Sequence, residues 1–434
     1  MKYFSKSYIK EKWSHPGFQK YFRNSAWMLG SRIFSMGISF LTTLYIARAL
    51  GPTNFGELDY ALAIVGMFGI IGAWGIEGVF SRELIKHPEQ HNELVGTASI
   101  LRLILGITAT MLIIIFALLS HIDPISRILL ILLSFTHTIS TLTLLQQIFL
   151  SRAESKYPSL ITTFVTLVTN ITKIIILITG KGIIYLAASL VVEAVLYAIL
   201  YLFTYKYSLH GKISEWKFSP TVARLLLKTG SAVAFLGVFA MIYSRIDQIM
   251  IRNMLNATAV GLYSSGVRLV DVWGFIPTII GASLYPAVLN ARKNSENLYV
   301  KRLRKLFLLY CLPALAIAIF LSLEAKNLMS LIYGNEFIDG FHALRVYAWS
   351  LPGTFIGFFV MNILFTDDHR KVLVFTTAFP AIINVLLNLA WIPTHGIIGA
   401  AWATTISYSL IPFMPLLFKS TRTILYRIYR PSYD

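Results

Sequence analysis

Residues 94–119 read LVGTASILRLILGITATMLIIIFALL, an apolar run whose one charged residue is Arg102. As an α-helix this run is about 39 Å long, enough to cross the ~30 Å hydrocarbon core of a bilayer. Comparable runs recur along the whole chain, so we predict an all-α integral membrane protein with about twelve transmembrane helices. The predicted spans are 24–50, 58–81, 94–119, 125–151, 157–179, 183–205, 225–252, 258–289, 303–323, 340–366, 371–392 and 397–418.

The composition supports this prediction. Of the 434 residues, 56% are hydrophobic and only 13% are charged, and the mean hydropathy is +0.67. A soluble domain needs more charge to cover its surface, and the spans of a β-barrel would be shorter and alternating. The single cysteine, Cys311, excludes an intrachain disulfide and a cysteine-based metal site.

The net charge of +18 indicates membrane topology rather than a nucleic-acid partner. Basic residues collect in cytoplasmic loops. With both termini in the cytoplasm, the predicted cytoplasmic segments hold 27 of the 38 Lys and Arg residues. An odd number of spans would destroy the alternation of basic and less basic loops, so the number of spans is even and both termini lie on the same side. The distribution of Lys and Arg predicts that this side is the cytoplasm. The basic first 23 residues precede a long span without a cleavage site, which predicts an uncleaved first helix.

Two sequence landmarks occur twice. LGPTNFGELDY at 50–60 resembles LNATAVGLY at 255–263, and Gly-Ile-Ile occurs at 182–184 and again at 396–398. The central glycines of the two landmarks are 126 residues apart in the first copy and 135 in the second. Such short matches are common in membrane helices, but their shared order and spacing favour two homologous six-helix halves in the same orientation.

The repeat predicts a two-lobed architecture, and transporters of this build bind substrate between their halves. The predicted divisions are a cytoplasmic N-terminal arm (1–23), an N-lobe (24–210), a basic cytoplasmic linker (211–224), a C-lobe (225–418) and a cytoplasmic tail (419–434). Span 58–81 also carries glycine at every third position, from Gly66 to Gly78. This stripe is compatible with close helix packing or with a flexible gate.

Ionisable residues inside spans are costly, so they usually face a cavity or a partner. We predict that the cations bind substrate and that the acids carry a coupling ion or form ion pairs. The cations are Arg32, Arg102, Lys173, Arg245, Arg268 and Arg345, and the acids are Glu77, Glu193, Asp247 and Asp271.

Spans seven and eight are the most informative of these. Arg268 and Asp271 share a helix face, whereas Arg245 and Asp247 point in different directions. One interpretation is a buried ion-pair network that joins the two helices. The other is an arginine for an anionic substrate beside a carboxylate for a proton or cation, because a guanidinium binds two phosphate oxygens and stays charged. The excess of cations over acids favours the second interpretation.

Several segments resemble a known family. They are ARALGPTNFG at 47–56, RIDQIMI at 245–251, VGLY at 260–263 and NLAWIPTHGIIGAAWA at 388–403. They are similar to signatures of the Wzx-type polysaccharide-unit flippases of the multidrug/oligosaccharidyl-lipid/polysaccharide (MOP) superfamily. The resemblance extends over the whole chain, but its motifs consist mostly of glycine and apolar residues.

The resemblance implies a MATE-like fold in the bacterial inner membrane. The substrate would be an undecaprenyl-diphosphate-linked oligosaccharide, the repeat unit of O-antigen, capsule or exopolysaccharide. Alternating access driven by H⁺ or Na⁺ would carry it to the outer leaflet. Membrane lipid would be a second partner, with polysaccharide polymerase and glycosyltransferases as further ones, and no cofactor is expected.

Three alternatives stay open. A multidrug cation antiporter of the same superfamily would have an acid-rich cavity, which the intramembrane arginines argue against. A membrane enzyme such as a polymerase or ligase would need a large outside loop or a cytoplasmic catalytic motif, and the sequence has neither. It also lacks the P-loop pattern of ATPases. A scaffold without transport activity is the third alternative.

Overall fold

A computed structural model describes residues 16–293 and 295–429. Most of the predicted N-terminal arm (1–23) and the end of the predicted tail therefore lie outside the described residues. Within them every regular element is helical. The α-helices are α1 (Pro16–Ala73), α2 (Ile76–Lys86), α3 (His91–Leu119), α4 (Pro124–Ile139), α5 (Gln146–Ser151), α6 (Lys156–Ile178), α7 (Ile183–Ser208), α8 (Pro220–Met254), α9 (Ala257–Asp271), α10 (Phe275–Arg292), α11 (Glu296–Leu323), α12 (Ala325–Tyr333), α13 (Phe341–Tyr347), α14 (Ser350–Thr366), α15 (Arg370–Leu410) and α16 (Lys419–Tyr429).

The described part of the chain contains nine stretches of helix that are long and apolar enough to cross a membrane, and a tenth pair bent by 46° before Ser350. Two of the nine are interrupted by a glycine in a backbone conformation that other residues rarely adopt. Gly51 in α1 has φ 69° and ψ 169°, and Gly396 in α15 has φ 58° and ψ −139°. Division at these two glycines yields twelve segments, in agreement with the predicted number, and the all-α class is confirmed.

Large apolar side chains cover the outside of these helices. Leu119, Leu331 and Leu323 are each more than 70% exposed, and many other leucine, isoleucine and phenylalanine side chains are exposed. A soluble protein rarely leaves so much contiguous apolar surface in water. In a bilayer this surface contacts lipid, so the exposed leucines support a membrane-spanning chain.

The chain divides into two compact units. Unit 1 comprises the residues up to Ile46 together with Ile64–Phe235, and unit 2 comprises Ala47–Ala63 together with the chain from Leu236 onward. The segment 47–63, which follows the first predicted span, therefore packs with second-half helices. The predicted lobes and linker, with their boundaries at 24–210, 211–224 and 225–418, stay predictions.

Unit 1 explains much of the glycine stripe by close packing. A Cβ at Gly69 would lie 2.8 Å from Cε1 of His137, and one at Gly72 would be in ordinary contact with Ala109 at 3.7 Å. Gly75 has φ 65° and precedes α2, where a Cβ would lie 2.6 Å from the carbonyl oxygen of Gly230. At these three positions a larger side chain would separate neighbouring helices.

In unit 2 the two copies of the first landmark contact each other. A Cβ at Gly56 would lie 1.9 Å from the carbonyl oxygen of Ala257, and a Cβ at Gly261 would lie 1.9 Å from that of Pro52. Between them the hydroxyl oxygens of Thr53 and Thr258 are 2.8 Å apart. In the two landmark copies Gly56 corresponds to Gly261 and Pro52 to Ala257, so the two backbone contacts are equivalent. Such reciprocal contacts are expected where two copies of a motif meet across a local twofold axis.

We expect Gly56→Ala and Gly261→Ala each to destabilise the protein, because a methyl group would push one backbone away from the other. Overpacking of this kind costs about 1–3 kcal/mol. Thermal unfolding of the purified protein in detergent measures the effect. Gly274→Ala is the matched control, since a Cβ there meets nothing within 4 Å. Equal melting temperatures for all three variants would contradict the contact.

Candidate functional site

Arg268, on α9, forms an ion pair with Asp59 of segment 47–63. Its Nη2 donates to Oδ1 of Asp59, and its Nε lies 3.4 Å from Oδ2, so the guanidinium contacts both carboxylate oxygens. The guanidinium carbon also lies 5.1 Å from the ring centre of Phe55. The Asp59 side chain is 1% exposed, whereas that of Arg268 is 30% exposed. Arg268 is thus held in one orientation while part of it stays accessible.

A second pair joins the same segment to α8. Nη2 of Arg252 lies 2.8 Å from Oε1 of Glu57, and the Arg252 guanidinium carbon is 5.7 Å from the ring centre of Tyr60. Both side chains are mostly buried. Two arginines from neighbouring helices therefore hold two carboxylates of one short segment.

These pairs differ from what the sequence predicts. Asp59 is not among the predicted site residues, although residue 59 lies inside predicted span 58–81, and Glu57 appears there only as part of a landmark. The predicted ion-pair network connects spans seven and eight to each other. In the structure the guanidinium of Arg268 instead pairs with a carboxylate 209 residues away.

Asp247 lies in a different environment, because its carboxylate contacts hydroxyl groups. It is 4% exposed, and its Oδ2 accepts hydrogen bonds from the Tyr263 hydroxyl and from Oγ1 of Thr404, the latter at 2.7 Å. Thr404 in turn accepts from Nδ2 of Asn384 at 3.2 Å, and Asn384 accepts from Asn388 at 3.1 Å. Within the described residues, no Lys or Arg forms an ion pair with Asp247.

Two acceptor atoms of this cluster have no hydrogen-bond partner among the described residues. They are Oδ1 of Asp247 and Oδ1 of Asn388, and both are buried. A buried oxygen without a donor is costly. A proton or a small cation bound at Oδ1 of Asp247 would lower the cost of burying that carboxylate, so the chemistry of the cluster suits a cation or a proton.

Asp271 and Arg245 lie beside this cluster. The hydroxyl of Tyr347 is 3.3 Å from Oδ1 of Asp271, and the rings of Tyr347 and Tyr263 are edge-to-face at 6.0 Å. Two tyrosines therefore connect Asp247 to the exposed Asp271. Arg245, which is partly exposed, forms no ion pair with any described residue.

In unit 1 the predicted charges form two local pairs. Arg102 is buried, with Nη2 3.2 Å from Oε1 of Glu77 and Nη1 2.7 Å from the carbonyl oxygen of Gly72. Nζ of Lys173, on α6, lies 2.8 Å from Oε2 of Glu193, on α7. The structure therefore brings together residues that the sequence analysis named separately.

The remaining two predicted cations, Arg32 and Arg345, are exposed. Nε of Arg345 lies 3.3 Å from the carbonyl oxygen of Ser322, and its guanidinium carbon is 5.3 Å from the ring centre of Phe341. These contacts leave part of Arg345 accessible. Whether these two cations contact substrate stays a prediction.

His137 is a partly buried polar residue that was not predicted from the sequence. Its Nε2 is 2.8 Å from the carbonyl oxygen of Val65, and its ring occupies the space that Gly69 leaves free. The signal in the sequence was a lone histidine within a predicted span. Its contacts indicate a packing role between α1 and α4.

The chain is similar in sequence to proteins of polysaccharide and glycan biosynthesis. A family model described as polysaccharide biosynthesis protein matches residues 21–291. The chain is 23% identical over 408 residues to the probable low-salt glycan biosynthesis flippase Agl15 of Haloferax volcanii, and this alignment covers 89% of this chain and 81% of that protein. It is 23% identical over 351 residues to the putative O-antigen transporter of Shigella flexneri, and this alignment covers 75% of this chain and 79% of that protein.

Solved structures with a similar fold are membrane transporters. The lipid II flippase MurJ in an inward closed conformation superposes with a TM-score of 0.71 at 15% identity, covering 94% of this chain and 90% of that chain. A multidrug resistance MATE family transporter of the MOP superfamily, in an inward-facing conformation, gives a TM-score of 0.66 at 14% identity, covering 91% and 96%. These likenesses confirm the predicted MATE-like fold.

We expect Asp59→Asn to destabilise the protein by roughly 2–4 kcal/mol, since breaking a buried pair leaves a charge without its partner. Arg268→Gln should do the same, and the double variant Asp59→Asn with Arg268→Gln should lose less stability than the sum of the two single losses. A double-mutant cycle on thermal stability measures the coupling between the two residues.

The control for this cycle is the exposed pair of Arg370 and Asp368 in the same unit. Removal of an exposed pair changes stability by about 1 kcal/mol or less. A coupling energy between Asp59 and Arg268 as small as that of the control pair would show that their contact does not stabilise the folded protein.

Proposed function

The chain belongs to the family of polysaccharide biosynthesis proteins, and from this membership we propose that it is a flippase for lipid-linked oligosaccharides. Its substrate is a repeat unit of O-antigen, capsule or exopolysaccharide on undecaprenyl diphosphate. Alternating access moves this unit from the cytoplasmic to the outer leaflet of the bacterial inner membrane. Both termini are cytoplasmic, and glycosyltransferases and a polysaccharide polymerase act before and after it.

The observation that carries this proposal is Arg268, a partly accessible guanidinium on an apolar helix that is fixed by Asp59 and Phe55. A planar cation held in one orientation suits a phosphate group, because two N–H groups meet two oxygens. Names of two relatives add support, since one is called a glycan biosynthesis flippase and the other an O-antigen transporter. An isoprenoid chain can stay in lipid while its polar head passes the arginines.

The predicted cations differ in how available they are. Arg245 has no ion-pair partner among the described residues and Arg268 keeps an accessible edge, so these two are the strongest candidates for the diphosphate. Arg102 and Lys173 are paired in unit 1 with Glu77 and Glu193. The proposed substrate-binding set as a whole is Arg32, Arg102, Lys173, Arg245, Arg268 and Arg345.

Asp247 is the strongest candidate for the coupling site. It is the buried carboxylate without a cationic partner in the described chain, and its Oδ1 and that of Asn388 accept no hydrogen bond there. A bound H⁺ or Na⁺ would neutralise the Asp247 carboxylate and give its Oδ1 a partner. Asp271 is connected to it through Tyr347 and Tyr263 and is the second candidate. Glu77 and Glu193 act as ion-pair partners.

A MATE-type multidrug or cation antiporter is the second candidate function. The fold favours it to a similar degree, with a TM-score of 0.66 to a MATE family transporter. The partly accessible cations of unit 2 favour an anionic substrate instead. The two functions predict different cargo for the same purified protein.

The first test is transport of a defined substrate. Proteoliposomes that contain the protein and a fluorescent undecaprenyl-diphosphate oligosaccharide should exchange the lipid between leaflets at least tenfold faster than protein-free liposomes. Arg245→Ala should remove most of this acceleration without lowering the melting temperature, since no ion pair is lost. Arg224→Ala, which changes an exposed arginine of unit 1, is the control. Efflux of cationic dyes without lipid exchange would support the antiporter.

The second test concerns coupling. Asp247→Asn keeps the shape of the side chain but cannot take up a proton or balance the charge of Na⁺. We expect lipid exchange in this variant to become insensitive to imposed H⁺ and Na⁺ gradients. Asp368→Asn, at an exposed carboxylate, should keep the dependence of the unaltered protein. Gradient-driven transport by Asp247→Asn would exclude this residue as the coupling site.

A further inference from the structure

Two adjoining cavities lie in unit 1, between the beginning of α1 and the turn that leads into α6. The first has a volume of about 550 Å³ and is lined by Arg23, Asn24 and Trp27 of α1 together with residues 153–157. The second, of about 400 Å³, shares Arg23 and Trp27 with the first and extends along α1 to Phe34. None of these residues belongs to the proposed substrate and coupling set.

The first cavity carries the chemistry of an anion site. Arg23 and Lys156 line it, and neither forms an ion pair with a described residue. Glu154 adds one carboxylate, so the side chains leave a net charge of +1. The cavity also contains the first residues of α6, at the positive end of the helix dipole.

Ser155 is an independent indication of a ligand. It lines the cavity, is completely buried, and its hydroxyl has no hydrogen-bond partner in the described chain. Its backbone N–H is already used, because it donates to Oδ1 of Asn24 at 2.6 Å. This bond holds α1 against the turn and leaves the Ser155 hydroxyl in the wall of the cavity without a hydrogen-bond partner among the described residues.

The second cavity is apolar. Beyond Arg23 and Trp27 it is lined by Ala26, Gly30, Ser31, Phe34 and Thr163. The Ser31 hydroxyl is bonded to its own helix, at 3.2 Å from the carbonyl oxygen of Met28. A Cβ at Gly30 would meet nothing within 4 Å, so the glycine leaves free space in the second cavity along α1. The surface therefore changes from cationic to apolar along one helix.

We propose that this pair of cavities is a docking site for a polyprenyl diphosphate, with the diphosphate between Arg23 and Lys156 and the first isoprene units along Gly30 and Phe34. Two cations match the two phosphates, whereas one phosphodiester needs only one. Trp27 and Tyr157 also line the first cavity, and their aromatic rings suit the faces of sugar rings. The inference rests on the proposed function, because it takes the diphosphate-linked lipid as cargo, and it assigns unit 1 a site where that lipid is first held.

Binding of undecaprenyl diphosphate to the full-length protein tests the site, for example by titration with native mass spectrometry. We expect the double variant Arg23→Ala with Lys156→Ala to bind this lipid at least tenfold more weakly than the unaltered protein. The control is Arg224→Ala with Lys86→Ala, which removes one exposed arginine and one exposed lysine of the same unit and should change affinity less than twofold. Phosphatidylglycerol, a lipid with one phosphate, is titrated in parallel.

A second variant tests the apolar part without changing charge. Gly30→Leu should fill the free space in the second cavity and weaken binding at least fivefold. Gly37→Leu should not weaken binding, because Gly37 lies on the same helix with equally free surroundings but lines neither cavity. Melting temperatures verify that each variant is folded. Gly30→Leu also serves as the test if the double variant is unstable.

The outcomes separate the site from the function. Undiminished binding in both variants would overturn the site. An equal loss of phosphatidylglycerol binding would also overturn it, by showing a general site for anionic lipids. If the unaltered protein binds undecaprenyl diphosphate through these residues but accelerates no lipid exchange in proteoliposomes, the site is supported and the flippase proposal fails.

Discussion

The close contact of two backbones at Gly56 and Gly261 is the constraint on which unit 2 depends. With no side chain at either position, the carbonyl oxygens of Pro52 and Ala257 take the space that two Cβ atoms would need. This approach brings Glu57 and Asp59 beside the arginines of α8 and α9, where the two pairs form across 195 and 209 residues of sequence. Intramembrane charges are tolerated when they are paired, and here the glycines make the pairing possible.

The sequence predicted the membrane-spanning class and the number of spans, because length and apolar content are properties of each segment by itself. It also indicated where the two long helices break, since Gly51 and Gly396 both belong to the repeated landmarks. Contacts between distant segments were harder to predict. The pairs Arg102–Glu77 and Lys173–Glu193 lie within 25 residues of each other in sequence, whereas the partner of Arg268 depends on how segment 47–63 packs, which no local pattern reveals.

Arg268 and Asp247 have different environments in unit 2. Arg268 is neutralised by a carboxylate and keeps an accessible edge, whereas Asp247 is surrounded by hydroxyl and amide groups and keeps a buried oxygen without a donor. The first arrangement fits an anion that arrives and leaves, and the second fits a small cation or a proton. A carrier that couples a phosphorylated cargo to an ion gradient needs a cationic site for the cargo and an anionic site for the ion. The two sites must not neutralise each other by forming an ion pair. Tyr263 and Tyr347 form the chain of contacts between Asp247 and Asp271.

The placement of segment 47–63 in unit 2 has a consequence for biosynthesis. Asp59 and Glu57 are synthesised about 200 residues before the arginines that neutralise them, which at roughly 5–20 residues per second is a delay of about 10–40 s. During that time the arginines that pair with these two carboxylates in the folded protein have not yet been synthesised. The ion pairs that hold this segment can form only after α8 and α9 have been synthesised, so segment 47–63 reaches its folded environment late although it is made early.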